Sequence, residues 1–113
     1  MKQVTSISVA ELTTLAERMY GNLVKADVDT RRLVMVVDMD MHADGEAYLL
    51  EQGSRQEDLW GINLHPAKFG TEEFVEFDSM INIRPRQHNP SRNVLDLAAR
   101  AKILDLVGSV VHA

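Results

Sequence analysis

The stretch "LVMVVDMDMHADGE" at residues 33–46 constrains the fold more than any other. Its odd positions from Leu33 to Ala43 are all apolar, while its even positions pass from Val34 and Val36 to Asp38, Asp40 and His42. Alternate side chains of a strand share a face, so the pattern reads as a strand with one apolar face and one face that turns polar. Asp44-Gly45 then supplies the dipeptide favoured in two-residue hairpin turns. Such a turn sets Met41 opposite Tyr48 and Met39 opposite Leu50, so the apolar faces coincide. The reading therefore favours a strand over 45–52. A short helix capped by Asp44 is the rival, because Glu, Ala and Leu favour helix.

The flanking sequence supplies the other elements. "SVAE" at 8–11 is a capping box, and Leu12, Leu15, Ala16 and Met19 follow at helical spacing, which predicts a helix at about 9–21. "VKADVD" at 24–29 alternates as a strand with Lys25, Asp27 and Asp29 on a wet face, and "LWGINL" at 59–64 alternates likewise. A further strand is expected over 74–84, with Val75, Phe77, Ile81 and Ile83 facing one way and Glu76, Asp78, Asn82 and Arg84 the other. Asp96 caps a last helix striped by Leu97, Ala101, Leu104, Gly108 and Val111. Hairpin-length connections favour antiparallel pairing. The expected fold is α+β: a two-layer, mainly antiparallel sheet of about five strands, with N- and C-terminal helices on one face and residues 1–113 forming a single domain.

Composition narrows the chemistry. The chain has no cysteine, which removes disulfides and thiolate chemistry and leaves His, Asp and Glu as the metal ligands open to it. A net charge of -5 suits non-specific nucleic-acid binding poorly. The longest apolar run, "LVMVV", is too short to span a bilayer, and the opening residues lack the apolar core of a signal peptide. A cytoplasmic protein that keeps off the membrane is the expectation.

Two layers leave one sheet face without helices. Asp38, Asp40, His42, Asn63, Glu76, Asp78, Asn82 and Arg84 fall on it. It reads as a solvated face, as a homodimer interface using Val34, Val36, Leu59 and Met80, or as a ligand site. A divalent metal is the candidate cofactor, at His42 with Asp44 and Glu46. The candidate catalytic group is His42, Asp44, Asp58 and Arg84, with Arg84 holding an anion. Candidate ligand-binding residues are Trp60, Asn82, Arg84 and Arg86, although Trp60 in an alternating apolar strand reads first as core. Arg84, Arg86 and Arg92 make a local basic loop that offers a nucleic-acid contact, or that pairs with the protein's own acids.

Three stretches together, "HADGE" at 42–46, "LEQGSRQEDLWG" at 50–61 and "FDSMINIRPRQ" at 77–87, resemble a family of small uncharacterised prokaryotic proteins, domain-of-unknown-function family 5674. Its motifs run His-Ala-Asp-x-Glu, Gly-Ser-x-Gln-x-Asp-x-Trp-Gly and Ile-Asn-Ile-Arg-Pro. The resemblance carries no catalytic role across. It implies a shortlist of motif positions: His42, Asp44, Glu46, Ser54, Gln56, Asp58, Trp60, Asn82 and Arg84. The Met-rich "DMDM" before His42 departs from the family pattern. Two functions are carried forward. One is a self-associating binding or accessory domain without catalysis of its own. The other is a metal-dependent hydrolase or nuclease built on His42, nearby carboxylates and Arg84.

Overall fold

Side-chain caps set where the helices begin. Ser8 Oγ accepts from the Glu11 N–H at 3.1 Å, and helix α1 follows at Val9–Met19. In the computed structural model, which describes all of residues 1–113, Asp96 likewise accepts from the Ala98 N–H at 2.9 Å. The strands are β1 (Lys2–Val4), β2 (Ile7–Ser8), β3 (Val24–Asp29), β4 (Val34–Val37), β5 (Leu59–Leu64), β6 (Val75–Glu76) and β7 (Val111–His112). Five of them form an antiparallel sheet in the order β1-β4-β3-β5-β6, and β2 pairs with β7 in a small parallel sheet. The α+β expectation, the five-stranded antiparallel sheet and the two terminal helices are all present.

One sheet face carries the main core. Val24, Ala26, Val28, Met35, Val37, Trp60, Ile62 and Leu64 meet Leu12, Leu15 and Ala16 of α1. The same cluster takes in Ile103, Leu106, Val107 and Val110 of the Asp96-capped helix. Both terminal helices therefore pack on this face.

The other face departs from the sequence reading. The expected strand at 45–52 is a helix, running from His42 to Glu51. It is α2, and the C-terminal helix Leu97–Val110 is α3. The strand of residues 33–43 ends early, because Asp38 takes φ +68° and turns the chain off the sheet after Val37. Aspartate tolerates that left-handed backbone better than most residues. Asp44 and Gly45 make no hairpin turn. Asp44 is the third residue of α2, and its carboxylate accepts from the Met41 N–H at 3.3 Å. The far end closes on Gly53 (φ +95°), with Gly53 N–H donating to Leu50 O at 3.1 Å and Ser54 N–H to Leu49 O at 3.0 Å. Helix α2 covers the second sheet face and seals it with a small cluster of Val36, Met39, Leu49 and Leu59. Asp27 and Asp29, read as solvated, are fully buried.

The strand expected over 74–84 is also shorter. Only Val75 and Glu76 pair with β5, and a 3₁₀ turn at Met80–Asn82 follows. Asn82 does the missing strand's work. Its Oδ1 accepts from Gly61 N–H at 2.9 Å and its Nδ2 donates to Gly61 O at 3.0 Å. One side-chain amide thus satisfies both backbone groups of a β5 residue.

Gly45 is the tightest point under α2. A Cβ there would lie 2.3 Å from Asp27 Oδ2 and 2.7 Å from Met39 Sδ. Helix propensity alone makes Gly→Ala favourable by up to about 1 kcal/mol. Overpacking a buried contact costs about 1–3 kcal/mol. Gly45→Ala is expected to destabilise the protein, against its propensity, in a denaturant titration. A neutral or stabilised variant contradicts the contact.

Candidate functional site

The motif residues fall into two groups. Arg84, Asp58, Trp60, Asn82 and Glu46 gather near one end of β5, whereas His42 and Asp44 stand at the start of α2. Arg84 donates to the carbonyls of Gln56 and Leu59, and its guanidinium lies 4.2 Å above the Trp60 ring. Burial lowers its pKa, opposed by Glu46 and Asp58. Asp58 pairs with Arg31 at 3.2 Å. Trp60 lies in the main core, as expected. Asn82 is fully buried and bound to Gly61 and, at 2.9 Å, to Arg92 O. In the arginine loop Arg92 bonds Asp78 at 2.5 Å, and only Arg86 is exposed with no ion pair. No three His, Asp or Glu side chains stand together as a metal-ligand set, so His42, Asp44 and Glu46 are not gathered for that chemistry.

His42 is buried, and its Nε2 lies 2.8 Å from Ile62 O. A carbonyl only accepts, so Nε2 carries the proton and Nδ1 of the neutral ring has a bare lone pair. Burial is the main reason the His42 pKa is lowered; Lys25 and Arg92 add to the fall, while the bond to Ile62 and Asp78 oppose it. Gly61 makes the room: a Cβ there would lie 2.6 Å from Ser79 Oγ and 3.0 Å from His42 Cδ2.

A cleft of about 190 Å³ opens beside His42. Its walls include Lys25, Asp40, Ser79 and Arg92, and its rim carries Met41 and Met80, both well exposed. The Lys25 ammonium lies 5.1 Å from the Tyr20 ring and makes no salt bridge. The Tyr20 hydroxyl donates to the Asp40 carbonyl and, at 3.3 Å, to its carboxylate. Burial, then Asp40, raises the Tyr20 pKa. Helix α2 begins at this cleft without a side-chain oxygen capping it, since its N-cap is Met41. The first N–H groups of a helix have no acceptor within it, and the helix dipole favours negative charge there.

Behind the cleft lies a polar layer that the sequence reading missed. Six buried side-chain atoms have no hydrogen-bond partner: both oxygens of Asp27, Asp29 Oδ2, Glu46 Oε2, Asn63 Oδ1 and Arg84 Nε. Burial first, then the Glu46 charge, pushes the Asp27 carboxyl from its ordinary 3.8 up to about 9. The Glu46 N–H, close to the carboxyl but not aligned to bond it, and the Lys25 charge oppose that shift only in part. Asp27 is therefore a neutral acid at pH 7. The signal that could have found it is the pair Gly45 and Gly61, which let helix and side chains approach the sheet closely.

These features define the class: a small α+β protein whose antiparallel sheet is helix-covered on both faces, with a cleft lined by Lys25, Asp40, His42 and Arg92 where α2 begins. A family model described as "Protein of unknown function (DUF5674)" matches residues 3–110, and the chain belongs to that family. No curated protein and no solved structure matches it. No helix is long and apolar enough to cross a membrane.

The Asp27 shift fixes a pH dependence. Between about pH 4 and pH 9 the unfolded chain has lost a proton that the folded chain keeps, so this group's contribution falls as pH rises through that window. Asp27→Asn removes the effect while keeping the shape. It is expected to stabilise the protein by about 1.4 kcal/mol for each pH unit between about 4 and 9, with little gain below. Denaturant titrations at several pH values check this, and a gain independent of pH contradicts it.

Proposed function

We propose that this protein is a binding or accessory domain without catalysis of its own, and that the cleft at the start of α2 receives an anionic group with an apolar neighbour. The observation that carries the reading is the Lys25 ammonium, which makes no salt bridge while it lines a cleft in an acidic protein. The His42 and Ala43 amides that open α2 add donors, the Asp44 amide being bonded to Met41 O, and Met41 and Met80 add pliable apolar contact at the rim. His42 lines the cleft with Nε2 committed to Ile62 O, which leaves its other ring nitrogen an acceptor only. The Asp40 carboxylate in the wall disfavours a second negative charge, so a single carboxylate fits better than a dianion.

A metal-dependent hydrolase or nuclease is the second reading. His42 supports it, because its ring lines the cleft and keeps one nitrogen unprotonated. Against it stand the absence of a converging carboxylate set and the commitment of Arg84 to backbone carbonyls. A nucleic-acid role has less support still, since Arg84 and Arg92 are both engaged. Self-association rests on exposed apolar side chains, Leu33 and Leu97 among them, because α2 covers the sheet face first considered for it.

Titration by amide NMR at constant ionic strength tests the first reading, with acetate, phenylacetate and sulfate as probes. The His42 and Ala43 amides are expected to shift and saturate. Phenylacetate should bind tighter than acetate, and Lys25→Ala should weaken binding about tenfold, roughly 1.4 kcal/mol. Absence of any saturable shift overturns the anion cleft. Thermal stabilisation by manganese or zinc that His42→Ala abolishes favours the second reading.

A further inference from the structure

Helix α2 is held to the protein unlike the rest of the fold. Its apolar seal is a cluster of four buried residues, against twenty in the main core. The middle of the contact is polar, with Gly45 pressed against an Asp27 carboxyl that has no hydrogen-bond partner. All six unpartnered buried atoms come from α2, from the β3 and β5 residues Asp27, Asp29 and Asn63, and from Arg84, which is electrostatically coupled to Glu46 of α2. Each end of the segment has a left-handed residue, Asp38 (φ +68°) before it and Gly53 (φ +95°) after it. A weakly sealed element between two sharp backbone turns has the makings of a unit that opens before the whole molecule does.

We infer that residues 39–52 form a hinged cover that lifts off the sheet as a unit, exposing Asp27 and Asp29, and that the buried Asp27 carboxyl sets how readily it lifts. In the closed state Asp27 faces Glu46 and Asp44 from α2 and Lys25 from its own strand. Its cross-strand neighbours, Val36 on β4 and Gly61 on β5, carry no charge. Asp29, two residues along β3, shares its face, and Arg84 is coupled to Glu46 and Asp58. Two carboxylates thus oppose ionisation of Asp27 and one ammonium favours it. Closed, the acid holds its proton; open, it meets water and releases it above its ordinary range. Opening is then coupled to proton loss, and raising the pH favours the open state. Opening also takes apart the cleft, since Met41, His42 and Ala43 belong to the segment that moves. The cover itself stands whether or not the cleft binds an anion.

Amide hydrogen exchange between pH 5 and pH 8, in the regime limited by the opening equilibrium, tests this on the intact protein. Base catalysis of exchange speeds every amide about tenfold per pH unit. Amides of α2 are expected to gain roughly a further tenfold per unit from Asp27. They should also exchange faster than those of α3. Asp27→Asn, a variant expected to fold, should bring the α2 slope down to a single tenfold per unit and slow α2 exchange at pH 8 by at least a hundredfold; α3 amides that exchange only through global unfolding, which also frees Asp27, should slow too but stay slower than those of α2. Equal rates for α2 and α3 would show that no separate cover exists. A single tenfold slope in α2, unchanged in Asp27→Asn, would show that the carboxyl does not control it. Either result overturns the inference.

Discussion

The contact of Gly45 with the Asp27 carboxyl governs the second face of this fold. Everything that distinguishes that face follows from a helix lying close over a strand that carries aspartates. The close approach demands a residue without a Cβ, and Gly45 meets it. The burial demands a neutral acid, and desolvation beside Glu46 keeps Asp27 protonated. The same approach places the first turn of α2 against β5, where His42 reaches Ile62 O. Cleft, buried acid and helix position are thus one arrangement.

A second economy operates at β5. The sheet ends after two residues of β6, yet β5 leaves no orphaned backbone at Gly61, because the Asn82 amide bonds both of its groups. Asn89 secures that region in turn, donating to Asn82 O at 2.7 Å and Asn93 O at 2.7 Å while accepting from Leu95 N–H at 2.9 Å. Polar residues over 77–95 therefore serve the backbone before any ligand. Asn82 and Arg84, which read as binding groups, spend their hydrogen bonds on carbonyls and amides of the chain itself.

The apolar face was readable because period-2 alternation reports burial directly. Val24, Ala26 and Val28 of β3 and Trp60, Ile62 and Leu64 of β5 fall where the pattern places them, under helices whose caps, Ser8 and Asp96, were also visible. The second face was not readable, for a physical reason. Alternation cannot separate a polar face that meets water from one that meets a covering helix. "DMDMH" keeps strand period through residues where the backbone has already turned at Asp38, and a left-handed aspartate leaves no mark on polarity. Asp44-Gly45 misled for a related reason. The dipeptide suits a hairpin, but here Asp44 bonds the Met41 amide and Gly45 supplies clearance. His42 reads from the sequence as a metal ligand, and its place at the start of α2 is informative, but its Nε2 is used by a backbone carbonyl.

An unpartnered acid in a sheet interior costs stability that a methyl-bearing residue would not. A purely structural role would be filled better by Val or Leu at position 27, as at Val24 and Val28 of the same strand. What a carboxyl provides, and an apolar residue cannot, is a closed state whose stability depends on a proton. Helix α2 is where that dependence acts, since its backbone lies on the acid and its first turn builds the cleft. The main core, twenty residues on the far side of the sheet, is left to hold the fold while the second face responds. Division of a small sheet into one face that holds and one face that yields accounts for a polar layer that stability alone does not.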